Sequence, residues 1–197
     1  MSDPETIKVY AAQADKYAAI TDDDKVNDAI LNSFISDLPA NGHVLDLGCG
    51  PGVSAGILAK AGFKVTATDA VPEMIALASK HVGVEAKCAT FDDIDGTNIY
   101  DGIWANFSLL HAPKADMPRH LAAVSKALKP QGQFHIGMKE GTGEKRDSIG
   151  RQYSYYSLEE LSALLEDAGL KVTKHSKGRA IGLDGTIAPW ICVRAYG

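Results

Sequence analysis

Seven residues constrain this chain more than any other segment: Asp46-Leu47-Gly48-Cys49-Gly50-Pro51-Gly52. They overlap the end of His43-Val44-Leu45-Asp46-Leu47, which reads as a short buried strand. They precede Ile57, Leu58 and Ala61, which predict a helix ending at Gly62. Glycines at alternate positions let the backbone turn tightly and approach a ligand with no Cβ in the way. In an open parallel sheet such a turn lies at the C-terminal end of a strand, where ligands bind. Asp69 closes the next strand, Lys64–Asp69, 17 positions after Gly52. A carboxylate there can accept hydrogen bonds from two vicinal hydroxyls, which is what a ribose presents.

The rest of the chain extends this alternation. Ile7, Tyr10, Ala14 and Tyr17 share one helical face. Thr21 reads as a cap, with Asp22, Asp23 and Asp24 favourable at a helix N-terminus. Val26, Ile30 and Phe34 continue that second helix until Leu38-Pro39 ends it. Pro72 suits the first turn of a helix carrying Met74, Ile75, Leu77 and Ala78. Strands are expected at 84–89, 102–105 and 133–138. Between the last two, Met117, Leu121, Val124 and Leu128 mark a helix stopped by Lys129-Pro130-Gln131-Gly132. Ser157 with Glu160 fits a capping box for a helix ending at Gly169. The final strands are expected at 170–175 and 190–195, joined by a loop-like 178–189 connection. Parallel neighbours need a longer crossover, so these two form an antiparallel edge hairpin.

The expected architecture is therefore α/β: a Rossmann-like three-layer α/β/α sandwich with a mostly parallel seven-stranded sheet. One domain over residues 1–197 is expected, with 1–38 a helical cap and 39–197 the core. The 45% hydrophobic content suffices for one such core. A net charge of −5 offers no basic face for nucleic acid. No apolar run approaches the roughly 18 residues of a membrane span. The polar start Met1-Ser2-Asp3-Pro4-Glu5 is unlike a secretion signal. The three cysteines lack CxxC spacing and the six histidines lack HExxH spacing. Neither a disulfide framework nor a metal is expected, and a reducing cytoplasm is the expected compartment.

Two nucleoside cofactors suit the glycine turn. A dinucleotide register fails from Gly48, where the last position is Val53, but Gly50-Pro51-Gly52-Val53-Ser54-Ala55 satisfies G-x-G-x-x-[GA]. That register starts three residues past the strand and places Pro51, which has no N–H, where a pyrophosphate wants donors. A P-loop is excluded because no Gly-Lys-Ser/Thr follows.

The run Asp46-x-Gly48-x-Gly50-x-Gly52 resembles the first motif of class I S-adenosylmethionine-dependent methyltransferases. Asp69 looks like that family's ribose-binding acid, and Phe91-Asp92-Asp93 stands where the family recognises adenine. Asp101-Gly102-Ile103-Trp104-Ala105-Asn106 and Leu128-Lys129-Pro130-Gln131-Gly132 resemble its later motifs. The resemblance covers roughly residues 40–140; one departure is Thr90-Phe91-Asp92 in place of the family's Gly-Asp pair. It implies S-adenosyl-L-methionine as cofactor, cradled by Gly48, Gly50 and Gly52, with Cys49 a small filler. Asp46 would face its positive methionine end, and Asp69 and Ala70 its ribose. Met74, Phe91 and Asp92 would border the adenine, and Ala105 and Asn106 would close the site from the fourth strand. The N-terminal helix implies a covering contact from Tyr17.

His111, just past the fourth strand where the family's acceptor sites open, is a candidate catalytic base; the alternative is a hydrogen-bonded lining histidine. Tyr10, Arg146, Arg151 and Tyr153 are candidate acceptor contacts, the arginines suiting a carboxylate or phosphate. The alternative for residues 139–156 is a solvated loop. The implied partner is a small-molecule methyl acceptor. Two rivals stay open: an NAD-dependent oxidoreductase, which would want a Tyr-x-x-x-Lys pair not found here, and a noncatalytic S-adenosylmethionine-binding module.

Overall fold

The computed structural model describes residues 3–22 and 28–197. Strands β1 (His43–Leu47), β2 (Lys64–Asp69), β3 (Val84–Cys88), β4 (Tyr100–Asn106) and β5 (Leu128–Lys139) alternate with helices α4 (Val53–Lys60), α5 (Pro72–Ala78) and α6 (Met117–Ala127). After β5 come short strands β6 (Glu144–Arg146) and β7 (Gln152–Ser154), helix α7 (Leu158–Asp167), and long strands β8 (Lys171–Ile181) and β9 (Ile187–Tyr196). The seven-stranded sheet runs β3-β2-β1-β4-β5-β9-β8. Its pairs are parallel from β3 to β5, and β9 is antiparallel to both β5 and β8. The strand order reverses between β1 and β4, and the glycine turn after β1 opens at that switch point.

Both faces of the sheet are buried, which is why its central strands read as apolar runs rather than alternations. On β4, Ile103 and Ala105 join a core with Leu121 and Val124 of α6 and Leu161 and Leu165 of α7. Trp104 faces the opposite layer, where Leu31 and Phe34 of α3 (Ala29–Ser36) and Leu58 of α4 pack on Val44 and Val65. Burying each such side chain is worth roughly 1.5–3 kcal/mol. The outer strand β8 is mostly exposed, and its lysines protect an open edge.

The sequence expectations need correction at several boundaries. The N-terminal face forms two helices, α1 (Pro4–Ala12) and α2 (Ala14–Asp22), broken at Gln13, whose N–H bonds Tyr10 O instead of continuing the ladder. Thr21 lies within α2 rather than at a cap; Asp28 caps α3, its carboxylate accepting from the N–H groups of Ile30 and Leu31. Asp23, Asp24 and Val26 lie outside the described residues. α6 ends at Ala127, just before residues 129–132 as expected, and those residues continue directly into β5. The expected 178–189 loop is mostly strand, with β8 and β9 paired from Lys171↔Tyr196 to Ile181↔Ile187.

Residues 139–156 are not a solvated loop throughout. β6 and β7 pair as a hairpin, and three contacts hold α1 against it. Arg146 makes a bidentate pair with Asp3, the N-cap of α1. Gln152 N–H donates to Thr6 Oγ1 at 2.8 Å, and Arg151 Nη1 donates to Tyr10 Oη at 2.8 Å. These links set α1 and its Tyr10 across the C-terminal end of the sheet.

Candidate cofactor and acceptor cavities

The turn after β1 is built on left-handed backbone, with φ of +71° at Gly48, +53° at Gly50 and +82° at Gly52. A Cβ at Gly48 would lie 2.3 Å from Ser108 Cβ, so the turn and the segment after β4 touch backbone to side chain. Ser108 locks this approach by donating its hydroxyl to Leu47 O. A Cβ at Gly50 would touch the ring of Tyr17, at 3.4 Å. A cavity of about 890 Å³ opens over this turn, with Tyr17 in its lining.

The Asp69 carboxylate beside this turn is fixed by backbone donors. Gly50 N–H reaches Oδ2 at 2.9 Å and Val71 N–H reaches Oδ1 at 2.9 Å. The group is thereby held in a fixed orientation in the cavity wall, with Ala70 N–H a third backbone partner. Burial pushes its pKa above the usual carboxylate range, and the Val71 and Gly50 donors pull back against that. A buried carboxylate with a raised pKa in a cavity wall is a candidate functional position. Asp46 is buried in the cavity wall, Met74 and Phe91 form an apolar side, and Cys49, Ala70 and Asn106 also line it.

Four expected positions line neither this cavity nor the one that adjoins it. Gly52 caps α4 and faces Ala78, whose Cα would lie 2.7 Å from a Cβ there, so this glycine is needed for helix packing. Asp92 points to α6, where Arg119 Nη1 pairs with it at 2.6 Å. Ala105 faces the α6 core because β4 alternates sides; Trp104 and Asn106 line the cavity instead. Arg146 is occupied by Asp3 and Glu5 and joins neither cavity.

His111 lines the cavity with both ring nitrogens engaged. Nδ1 lies 2.6 Å from Gln152 O, a group that can only accept, so Nδ1 carries the proton. Nε2 therefore accepts, and Tyr10 Oη donates to it at 3.0 Å while receiving Arg151 Nη1. Arg151 is held in turn by Asp147 through Nε at 2.9 Å. Burial lowers the His111 pKa to about 4, and the Arg151 and Lys139 charges act the same way. The candidate base is therefore a neutral ring at pH 7 whose Nε2 lone pair accepts from Tyr10 in this structure.

A second cavity of about 750 Å³ adjoins the first and shares Tyr10, Tyr17 and Phe107 with it. Arg151 and Tyr153 line this one, together with Lys139, Trp190 and the Ile181–Leu183 turn. Sequence reasoning missed Trp104, Phe107, Lys139 and Trp190. Lys139 could have been found by one rule, since it ends β5 at the ligand-binding edge of the sheet. Trp190 enters from the antiparallel β9, and no motif points to it.

The family described as "Methyltransferase domain" matches residues 44–132. A "Ubiquinone biosynthesis O-methyltransferase" of Xanthomonas oryzae pv. oryzae is 31% identical over 104 residues, covering 49% of this chain and 43% of that protein. A "Trans-aconitate 2-methyltransferase" of Delftia acidovorans is 33% identical over 134 residues, covering 64% and 48%. The chain thus spans about half the length of the curated relatives it matches. The crystal structure of the Burkholderia thailandensis 1,6-didemethyltoxoflavin-N1-methyltransferase, with S-adenosylhomocysteine bound, superposes with a TM-score of 0.71 at 23% identity, covering 100% of this chain and 91% of that one. The match to a methyltransferase domain lies over the glycine turn and the strands beside it, and the fold is shared with solved S-adenosylmethionine-dependent methyltransferases.

Proposed function

We propose that this chain binds S-adenosyl-L-methionine in the first cavity and transfers its methyl group to a small-molecule acceptor in the second. The observation that carries the reading is the left-handed glycine turn at Gly48 and Gly50 beside a buried Asp69 carboxylate that backbone N–H groups hold in the cavity wall. Asp69 would take the ribose hydroxyls, Met74 and Phe91 the adenine, and Asp46 the cationic methionine end. When bound, the cofactor supplies a methyl group already activated on a sulfonium sulfur.

The protein's own task is to align and to exclude water, which can contribute up to about 7–11 kcal/mol to such a displacement. Tyr10, Tyr17 and Phe107 stand where the cavities meet and keep bulk water from the junction. His111 is a positioning residue that holds Tyr10 there. The free thiols, one of them the exposed Cys88, favour a reducing cytoplasm. Among the described residues no helix is long and apolar enough to cross a membrane.

Calorimetry tests the cofactor assignment. S-adenosylhomocysteine should bind and NAD should not. Asp69→Ala should weaken binding more than tenfold, since hydrogen bonds to a charged group are worth ~1.5–3 kcal/mol each. Tight NAD binding without S-adenosylhomocysteine binding overturns the assignment. An unchanged affinity in the variant shows that Asp69 is not the ribose acid.

A further inference from the structure

The second cavity is chemically lopsided. Its walls are aromatic and aliphatic: Tyr153, Trp190 and Phe107 line it together with the Ile181–Leu183 turn. The indole is rigidly seated, because it lies against Gly178, where a Cβ would come within 2.3 Å of Cζ2. Phe107 meets it edge-on, with ring centroids 6.3 Å apart. The lining contains no acidic side chain but two basic ones, Arg151 and Lys139.

The two cations are not equivalent. Asp147 answers the Arg151 charge at 2.8 Å, and Tyr10 takes its remaining arm. Lys139 has no carboxylate within ion-pair distance among the described residues. Its ammonium sits over the Tyr153 ring, 4.0 Å from the centroid, with Asp184 acting only at longer range. It is half-buried, and burial lowers its pKa. An ammonium so placed is poorly solvated and gains from an incoming anion.

We infer that the second cavity receives a planar aromatic acceptor carrying one carboxylate, with Lys139 as the group that selects the charge. This rests on the methyltransferase reading above. The flat rings match an aromatic plane better than a flexible chain. A single unanswered cation matches a monoanion; a phosphate dianion would bury a second charge without a partner. The carboxylate anchors the acceptor and is not the methylated group. Lys139 lines only the second cavity, whereas the junction with the first is made by Tyr10, Tyr17 and Phe107. The accepting atom must lie at that junction, at the other end of the molecule from the acid.

The test is calorimetry on the full chain saturated with S-adenosylhomocysteine. The probes are benzoate, 2-naphthoate and 4-hydroxycinnamate, each against its neutral amide. At least one acid should bind ten times or more tighter than its amide. Lys139→Met should remove that preference, Lys139→Arg should keep it, and neither should change the affinity for S-adenosylhomocysteine. If no acid outbinds its amide, or if the preference survives in Lys139→Met, the inference is overturned. Failure of S-adenosylhomocysteine itself to bind sinks the cofactor assignment instead, so the two failures are told apart.

Discussion

The two adjoining cavities are built by different means. The first is framed by backbone: two glycines at positive φ, one carboxylate tied to backbone N–H groups, and the ends of β1, β2 and β4. The second is framed by side chains brought from α1, α2, β5, β7 and the β8–β9 hairpin. A backbone frame is dictated by a few residues close together in sequence and tolerates few substitutions. A side-chain frame depends on distant elements docking correctly, and each of its residues is separately exchangeable. That division suits a protein whose cofactor is fixed and whose acceptor has to be chosen.

The sharpest way to break the comparison is Gly48→Ala. The new Cβ meets Ser108 at 2.3 Å on a backbone at φ +71°, so left-handed strain and overpacking add. We expect a loss of about 3 kcal/mol or more in thermal or denaturant unfolding, together with loss of S-adenosylhomocysteine binding. A melting temperature within a degree of the parent protein would show that the turn is not the rigid frame described.

The same division explains what could be read from the sequence. Strands β1 and β2, the glycine turn and Asp69 obey local rules, spacing and chain punctuation, and stand where those rules put them. Asp92 and Ala105 share the same neighbourhood yet miss the cavity. Motif position cannot say that Arg119 lies close enough to capture Asp92, nor on which side of β4 each residue falls. The hairpin of residues 144–154 was invisible because its strands are three residues each and owe their order to contacts with α1, over 130 positions away. Arg146 and Arg151 looked alike as free cations in a loop. Only the fold shows that Asp3 and Asp147 answer them and that Lys139 is left without a carboxylate partner among the described residues.

His111 sits between the two regions and gives the next test. Its folded pKa, about 4, lies below the ordinary value of 6.5 because burial opposes its charge. The unfolded chain therefore takes up this proton first as pH falls. The stability tied to the neutral ring is present above pH 6.5 and is lost progressively down to about pH 4. Between pH 7 and 5 the parent protein should lose about 2 kcal/mol more than His111→Gln does, measured by urea unfolding at each pH. Parallel pH profiles would mean that the ring is already solvated, and the Tyr10–His111–Gln152 chain would no longer explain how α1 is held.

The smallest effect expected is at Arg146, and it separates a clamp from a binding group. The side chain is 40% exposed, and its pairs with Asp3 and Glu5 lie on the rim between α1 and the β6–β7 hairpin. The bidentate geometry holds the Asp3 carboxyl well below the usual carboxylate range. Water screens so exposed a pair, which limits its worth to about 0.5–1 kcal/mol. Arg146→Ala should therefore lower stability by no more than that, with the difference shrinking in high salt. Binding of S-adenosylhomocysteine and the preference for an acidic acceptor should both stay at parent values, because Arg151 and Thr6 still hold α1 to the hairpin. If the variant instead loses the acid preference while Lys139→Met retains it, the charge-selecting residue lies on the rim and the division between a backbone-framed and a side-chain-framed cavity has been drawn in the wrong place.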